Sequence, residues 1–171
     1  MKIGLFILIG IVLGYIVKLM VNWLAIDNFM MSRKNFFLEA VGAIMVTWSA
    51  VNLGIEEAII FSIIALTLAG ISVIDFHTFE IPLIFIIIGV VASIAGILLM
   101  VIFLSAAFWG IFVGALIPLA IMLILWAITK RQGMGYGDIQ LGIVLGAWLG
   151  PMRMALTLFL SLIHISEPTR L

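Results

Sequence analysis

Two aspartates in a strongly apolar chain are the residues whose type and position point to chemistry. Asp75 follows the run Ile71-Ser-Val-Ile, and Asp138 stands between the glycine-rich stretch GMGYG and the apolar Ile139. A carboxylate beside hydrocarbon is costly unless it has a partner or a water-filled cavity. Two carboxylates in one partly dry site share a proton, so one can act as base toward a water while the other donates to a carbonyl oxygen. This chemistry hydrolyses a peptide bond without a metal or a covalent nucleophile.

Other acids in the chain have a simpler explanation, because a carboxylate at the end of a membrane helix is usually solvated. The acids to which this applies are Asp27, Glu39, Glu56, Glu57 and Glu80. For His77, a solvated loop position is favoured over a contact with substrate. Asp75 and Asp138 differ from these residues because each stands directly against apolar neighbours.

The composition sets the solvent in which this chemistry takes place. The 171 residues are 66% hydrophobic and 9% charged, whereas soluble domains carry about a quarter charged residues. The chain has no cysteine and only two histidines, which argues against disulfides, thiolate catalysis and a metal site. Its formal net charge is zero, so nothing suggests a nucleic-acid partner. We therefore predict an integral membrane protein without a bound metal or cofactor.

Apolar stretches of about 20 residues, the length that crosses a bilayer as a helix, occur about six times. The predicted helices are Ile3–Ala25, Phe37–Leu53, Ala58–Ile74, Pro82–Leu104, Ala106–Ile128 and Ile139–Leu160. The connections between them are short, and one is a turn near Ser105. These features predict an all-α, polytopic membrane protein with no soluble domain.

Basic residues in the connections predict the orientation. Arg33–Lys34 lie in the first connection and Lys130–Arg131 in the fifth, whereas Glu56–Glu57 lie in the second. The positive-inside rule then places the odd-numbered connections in the cytoplasm. Asp75 opens the third connection and Asp138 closes the fifth. We therefore expect both carboxylates on the cytoplasmic side, at similar depth.

Three motifs resemble those of a known family. The stretch GMGYGDIQLGIVLGAWLG resembles the GxGD signature of type IV prepilin peptidases, which are membrane aspartic proteases. Asp75-Phe-His-Thr-Phe-Glu-Ile-Pro82 is similar to the partner signature, an aspartate at a helix end followed by a short loop that reaches Ile-Pro. Phe37-Leu-Glu39-Ala-Val-Gly is similar to a Leu-Val-Glu-Leu run in that family. The resemblance covers about Phe37 to Gly150, with the motifs in the family's order.

The resemblance implies roles for individual residues. Asp75 and Asp138 would be the catalytic acids, and Gly135 and Gly137 the glycines of GxGD. Glu39 and Pro82 would shape the site, Glu39 as an acid at a helix start. These six residues make up the predicted site, which includes no metal ligand and no cofactor-binding residue.

The resemblance also implies a substrate and a location. The substrate would be a prepilin or pseudopilin of a type IV pilus or type II secretion system, with a short basic leader, a glycine and a hydrophobic N-terminal helix. Cleavage would follow the glycine, on the cytoplasmic side of the bacterial inner membrane. The mature substrate helix and membrane lipid would be the partners, and proteolysis would need no cofactor.

Three departures from the family pattern affect the predicted activity. Many family members carry a Cys-rich cytoplasmic insert in the first connection, which here is short and has no cysteine. Many also methylate the new N-terminus with S-adenosylmethionine, and this second activity stays open. Leu83 stands where the family has Asn or Asp, and Gln140 where a lysine is common.

The C-terminal stretch LSLIHISEPTR differs in character from the apolar helix before it. It resembles the translation of a transposase adapter used in sequencing libraries, and the alternative is a native polar tail. We therefore expect 1–159 to be a C-terminally incomplete membrane domain and 160–171 a non-native tail. On this hypothesis His164 and Glu167 have no function.

Two other functions use the same acids. Presenilin-like GxGD proteases pair the motif with a Tyr-Asp motif and a later Pro-Ala-Leu, and neither occurs here. A proton-coupled carrier could use Asp75 and Asp138 as a relay. Carriers hold such acids near the bilayer midplane on broken helices, whereas these two are expected at the cytoplasmic edge, which favours the protease.

Overall fold

The structure is a computed structural model that describes residues 2–24, 30–32, 34–130 and 135–166. Its helices are α1 (Lys2–Leu24), α2 (Phe37–Asn52), α3 (Ile55–Thr78), α4 (Leu83–Leu98), α5 (Leu104–Thr129) and α6 (Tyr136–Ser166). Every regular element within these ranges is helical, which confirms the predicted all-α fold. Four of these helices, α1, α3, α5 and α6, are long and apolar enough to cross a membrane. The other two, α2 and α4, have 16 residues each and fall short of that length.

The chain forms two compact units. Unit 1 is Met1–Val101 and contains α1 to α4, and unit 2 is Ile102–Leu171 and contains α5 and α6. The candidate residues divide between them, with Glu39, Asp75 and Pro82 in unit 1 and the GxGD glycines with Asp138 in unit 2.

Glycines bring α1 and α2 of unit 1 into backbone contact. A methyl group on Gly10 would overlap the carbonyl of Gly42, and one on Gly14 would overlap the carbonyl of Leu38. Leu38 is fully buried. Small residues allow this close approach where lipid removes the hydrophobic drive between helices. The start of α2 is therefore fixed against the second half of α1.

A second glycine contact joins α3 to its neighbours near the end that carries Asp75. A Cβ added to Gly70 would lie 2.9 Å from the ring of Phe85 on α4 and 2.9 Å from Val17 of α1. Phe85 is 1% exposed. The absence of a side chain at Gly70 thus lets α1 and the start of α4 pack on α3.

The fourth helix ends earlier than predicted. The sequence suggests one helix over Pro82–Leu104, but α4 ends at Leu98 because Met100 takes a left-handed conformation with φ 59°. The amide of Met100 donates to the carbonyl of Ile97 at 3.1 Å, and that of Val101 to Gly96 at 2.9 Å. These bonds form a Schellman ending, which usually has glycine at the left-handed position. Because methionine occupies it here, the sequence carries no signal for the break.

Unit 2 is an α5–α6 pair that also packs through glycines. Gly110 faces Gly146 and Gly114 faces Gly142, and a methyl group on any of the four would overlap the opposing backbone. The last helix begins at Tyr136, earlier than expected, and continues past Leu160 to Ser166. It is kinked at Gly150, where φ is 73° and Pro151 follows.

Candidate active site

Asp75 lies in the last turn of α3 and not in the connection that follows, as the sequence suggested. The helix continues to Thr78 and ends at Phe79, which is left-handed and donates its amide to the carbonyl of Asp75 at 2.9 Å. The Asp75 side chain is exposed. A carboxylate here stands at the negative end of the helix dipole, which opposes a further negative charge.

Pro82 closes the connection from α3 to α4. It is buried, has extended backbone angles (φ −67°, ψ 130°) and immediately precedes α4. Its carbonyl accepts the amide of Phe85 at 3.1 Å. The Asp75 motif thus ends at the residue that immediately precedes the next helix.

Asp138 lies at the opposite kind of helix end. It is in the first turn of α6, and its Oδ2 accepts the amide of Gly135 at 3.1 Å. The Asp138 amide in turn donates to the Gly135 carbonyl at 3.2 Å. This reciprocal pair resembles a capping box. The Gly135 amide therefore fixes the orientation of this carboxylate at the start of α6.

The described glycines of the motif do not adopt left-handed backbone angles. Among the described glycines, only Gly150 has a positive φ. Gly137 belongs to the first turn of α6, and a Cβ on Gly135 would meet its nearest atom, Asp138 Oδ2, at 3.6 Å. That is an ordinary contact, so this local structure does not itself require glycine at 135. Gly133 and Met134 lie outside the described residues.

Glu39 is buried in an ion pair, so its interpretation as a solvated acid is wrong. Its Oε1 lies 2.9 Å from Nζ of Lys18, and the two residues are 6% and 4% exposed. Lys18 also donates to the carbonyl of Asn35 and lies 5.3 Å from the ring centroid of Phe36. A buried pair of this kind holds its partners in place but adds little net stability. Glu39 therefore joins the first turn of α2 to α1, and Lys18 also holds the first connection through Asn35.

Asn22 makes a second anchor that sequence reasoning missed. Its Oδ1 accepts the amide of Met31 at 2.7 Å, and its Nδ2 donates to the Met31 carbonyl at 3.4 Å. The residues Gly10, Gly14, Lys18 and Asn22 recur every fourth position and so lie along one face of α1. That spacing was the available signal: two glycines admit α2, and two polar side chains then hold the chain that leads into it.

An open groove of about 590 Å³ lies along the last two turns of α3 in unit 1, and we name it the α3 groove. One wall is the first connection and the start of α2. The other wall is the last two turns of α3. Its lining residues are Met30, Met31, Ser32, Asn35, Phe37, Ser72, Val73, Phe76 and His77.

His77 is part of this wall. It lies in the last turn of α3 and not in a loop, and its Nδ1 is 2.9 Å from the carbonyl of Val73. Because a carbonyl only accepts, Nδ1 must carry the proton, and Nε2 is then the basic nitrogen in the neutral ring. The ring packs edge-on against Phe76, with centroids 5.3 Å apart.

Some of the other charged residues named in the sequence lie outside the part of the chain that the structure describes. Asp27, Arg33 and Arg131 lie outside the described residues, as does Glu167 of the C-terminal tail. Lys34 and Lys130 are exposed. Within the described ranges, no group of three or more His, Asp or Glu side chains is placed to hold a metal ion.

Comparison with known proteins identifies a family over the part of the chain that carries both aspartates, and one relative over a shorter stretch. Residues 59–166 match the type IV leader peptidase family. A stretch of 58 residues is 41% identical to the prepilin leader peptidase/N-methyltransferase of Stutzerimonas stutzeri, and it covers 34% of this chain and 20% of that relative. No solved structure matches the chain. The family match includes Asp75 and Asp138, whereas Lys18, Asn22 and Glu39 precede it.

Proposed function

Because the chain belongs to the type IV leader peptidase family, we propose that it is an aspartic endopeptidase that removes the leader of a type IV prepilin or pseudopilin. Asp75 and Asp138 are the catalytic acids in this proposal. The observation that carries it is that both acids lie at helix ends within the family match, each in its own sequence motif. The prediction of a membrane protein is supported by four helices able to span a bilayer.

The two helix ends suggest different roles for the two acids. Oδ2 of Asp138 accepts the Gly135 amide at the start of α6, which orients this carboxylate for the role of general base. Asp75, at the end of α3, takes the complementary role of the acid that holds the shared proton. A pair of carboxylates that act on one bond ionises as a unit, with one proton between them. We therefore assign the base to Asp138 and the acid to Asp75.

The proposed reaction proceeds through a tetrahedral intermediate. Asp138 accepts a proton from water as the water oxygen bonds to the carbonyl carbon of the glycine, and Asp75 donates its proton to the carbonyl oxygen. The intermediate then collapses as the C–N bond breaks. Asp138 passes its proton to the leaving amine, and the hydroxyl proton returns to Asp75. The products are a free leader carboxyl and a new N-terminus, and both acids regain their starting state.

The proposed substrate has a short basic leader, a glycine and a hydrophobic helix. We place the cleavage on the cytoplasmic side of the bacterial inner membrane, in agreement with the basic residues of the first and fifth connections. The apolar helix of the substrate would lie in the lipid beside this protein. Proteolysis by two aspartates needs no cofactor. S-adenosylmethionine would be required only if this chain also methylates the new N-terminus.

The first test is cleavage of a prepilin reporter by the full chain in membranes, measured as a gel shift. Asp75→Asn and Asp138→Asn should each lower the cleavage rate by about 10²-fold or more, the contribution expected of a general acid or base. Glu80→Gln is the matched control, because Glu80 is an exposed acid that follows the same helix end. It should cleave at the wild-type rate.

Membrane abundance of each variant is measured alongside cleavage. If either aspartate variant cleaves at the wild-type rate, that residue is not catalytic, and the assignment of Asp75 and Asp138 as a catalytic pair fails. A loss of proton-coupled transport in the same variants, without any cleavage by the wild type, would instead support the carrier.

A further inference from the structure

A second groove of unit 1 runs between α1 and α2 and has a volume of about 530 Å³, and we name it the α1–α2 groove. Its lining includes Ile11, Tyr15 and Lys18 of α1 and Glu39, Ala40 and Ala43 of α2. The ion pair of Lys18 and Glu39 lies at the end next to the first connection. From there to Ile11 the groove follows about 10 Å of α1. The groove therefore has a charged end and a long apolar part.

The charged end of the α1–α2 groove contains a buried hydrogen-bond acceptor that the protein does not use. Oε1 of Glu39 accepts Nζ of Lys18, but among the described residues no donor lies within hydrogen-bond distance of Oε2. Glu39 is 6% exposed, and buried polar atoms nearly always have a partner. An occupant with an N–H or O–H donor would supply that partner. Because the formal charges of Lys18 and Glu39 cancel, an occupant without net charge leaves the site neutral.

The α1–α2 groove lies on the side of both helices that faces away from α3. Val17 of α1 and Ser49 of α2 contact α3. Since successive helical residues are rotated by about 100°, Tyr15 is turned about 160° from Val17, and Ala40 about 180° from Ser49. Within unit 1, a molecule in this groove is therefore separated from Asp75, which belongs to α3. That position favours a lipid over a peptide that is to be cleaved at Asp75.

We propose that the α1–α2 groove binds a phospholipid whose headgroup carries a primary ammonium group, as phosphatidylethanolamine does. The ammonium donates a hydrogen bond to Oε2 of Glu39, and an acyl chain lies along the apolar part toward Ile11. A primary ammonium has three N–H donors, whereas the trimethylammonium of phosphatidylcholine has none. The ethanolamine lipid also carries no net charge. Because Lys18 bonds the carbonyl of Asn35, the bound lipid stabilises the first connection as well.

The first test measures lipid binding to the full chain in detergent micelles by native mass spectrometry. The probes are phosphatidylethanolamine and phosphatidylcholine with identical acyl chains. The wild type should bind the ethanolamine lipid at least about tenfold more tightly, the ratio expected for one hydrogen bond to a charged group. The double variant Lys18→Met with Glu39→Leu removes the acceptor and keeps an apolar pair in its place, so it should bind both lipids equally.

A pair of tryptophan variants tests whether the preference arises in the groove. Ala40→Trp should fill the groove and remove the preference, because Ala40 is exposed and lines the groove. The Lys18–Glu39 pair is left intact in this variant. Val51→Trp is the matched control, since Val51 is an exposed residue of α2 outside the lining. It should keep the tenfold preference.

A second measurement locates the lipid in vesicles made of equal parts of the two phospholipids. A photoreactive residue in place of Val12, which is exposed and lines the groove, should crosslink mainly to phosphatidylethanolamine. One in place of Leu8, which is exposed outside the lining, should crosslink to both lipids equally.

Three results would overturn the proposal. Equal binding of the two lipids by the wild type would show that a water, and not a headgroup, completes the bonding of Glu39. A preference that persists in the double variant or in Ala40→Trp would place the lipid elsewhere. Displacement of the crosslinked lipid at position 12 by a mature prepilin peptide would assign the groove to a peptide. None of these readouts depends on cleavage, so this proposal and the peptidase function can fail independently.

Discussion

The α1–α2 pair of unit 1 and the α5–α6 pair of unit 2 pack in the same way but differ in their buried polar side chains. Both pairs bring backbones into contact through glycines, Gly10 and Gly14 in one and Gly110 and Gly114 in the other. On α1 the row of close contacts continues into Lys18, which is buried and charged. Among the described residues, all buried polar or charged side chains lie in unit 1; they are Lys18, Glu39, Ser49, Ser62, Thr67 and Ser93.

The difference indicates separate tasks for the two units. In unit 1, polar side chains of α1 hold the chain segment that forms one wall of the α3 groove. In unit 2, the described contact of Asp138 is a bond to the backbone at the start of its own helix. A local helix cap needs no distant partner, whereas a groove between a connection and a helix does. Close packing through glycines is thus common to both units, and the polar anchors are specific to the one with the groove.

The largest expected effect comes from breaking the ion pair of unit 1. Lys18→Met leaves the buried Glu39 carboxylate without its cation and should lower the free energy of unfolding by about 3–5 kcal/mol. Replacing both residues, as Lys18→Met with Glu39→Leu, should recover most of this loss, because an apolar pair needs no desolvation of charge. Urea unfolding in detergent micelles measures both. A double variant no more stable than Lys18→Met would show that the pair is not the source of the effect.

The glycine contacts should respond alike in the two units. Gly14→Ala and Gly146→Ala each place a methyl group against opposing backbone and should cost about 1–3 kcal/mol of unfolding free energy. Gly4→Ala is the control, since nothing lies within 4 Å of a Cβ there, and it should not destabilise the protein. The same unfolding measurement applies. Equal stability of Gly4→Ala and Gly146→Ala would contradict the close packing of α5 and α6.

The smallest effect concerns two left-handed positions, one occupied by methionine in unit 1 and one by glycine in unit 2. Met100 in unit 1 has φ 59°, and Gly150 in unit 2 has φ 73°. A left-handed conformation costs a non-glycine residue about 1–2 kcal/mol, so Met100→Gly should raise the midpoint of thermal unfolding while Gly150→Ala should lower it. Shifts of the same sign in the two variants would show that backbone conformation is not what they report.

Much of the fold could be predicted because its signals are local. Apolar runs bounded by polar or glycine-containing connections gave six helices, and most of their limits differ from the structure by only a few residues. The end of α4 was missed because Met100 takes the place where glycine would have marked the break. The last turn of α3 was missed because Asp75 and His77 are polar, and polar residues after an apolar run predict a loop.

The candidate site was predictable only where a motif is continuous in sequence. Asp75, Pro82, Gly135 and Asp138 were identified from short motifs, and the family match contains all four. Lys18 and Asn22 were not identified, because a polar residue in an apolar helix has no partner that the sequence names. The Lys18–Glu39 pair joins residues on different helices, and its existence depends on the approach of α2 to Gly14. The nature of the 160–171 tail stays a prediction.

The sequence by itself determined the membrane environment, the all-α class and the two acidic motifs. Composition and short-range pattern depend only on the residues themselves and their neighbours in the chain. Only the tertiary structure decided that Glu39 is buried with Lys18, that Asn22 holds Met31, and that the first connection and α3 enclose a groove. These features depend on backbones that meet through glycines, and a one-dimensional pattern does not specify which helices meet. The residues that bear charge were visible in the sequence, but their partners were set by packing.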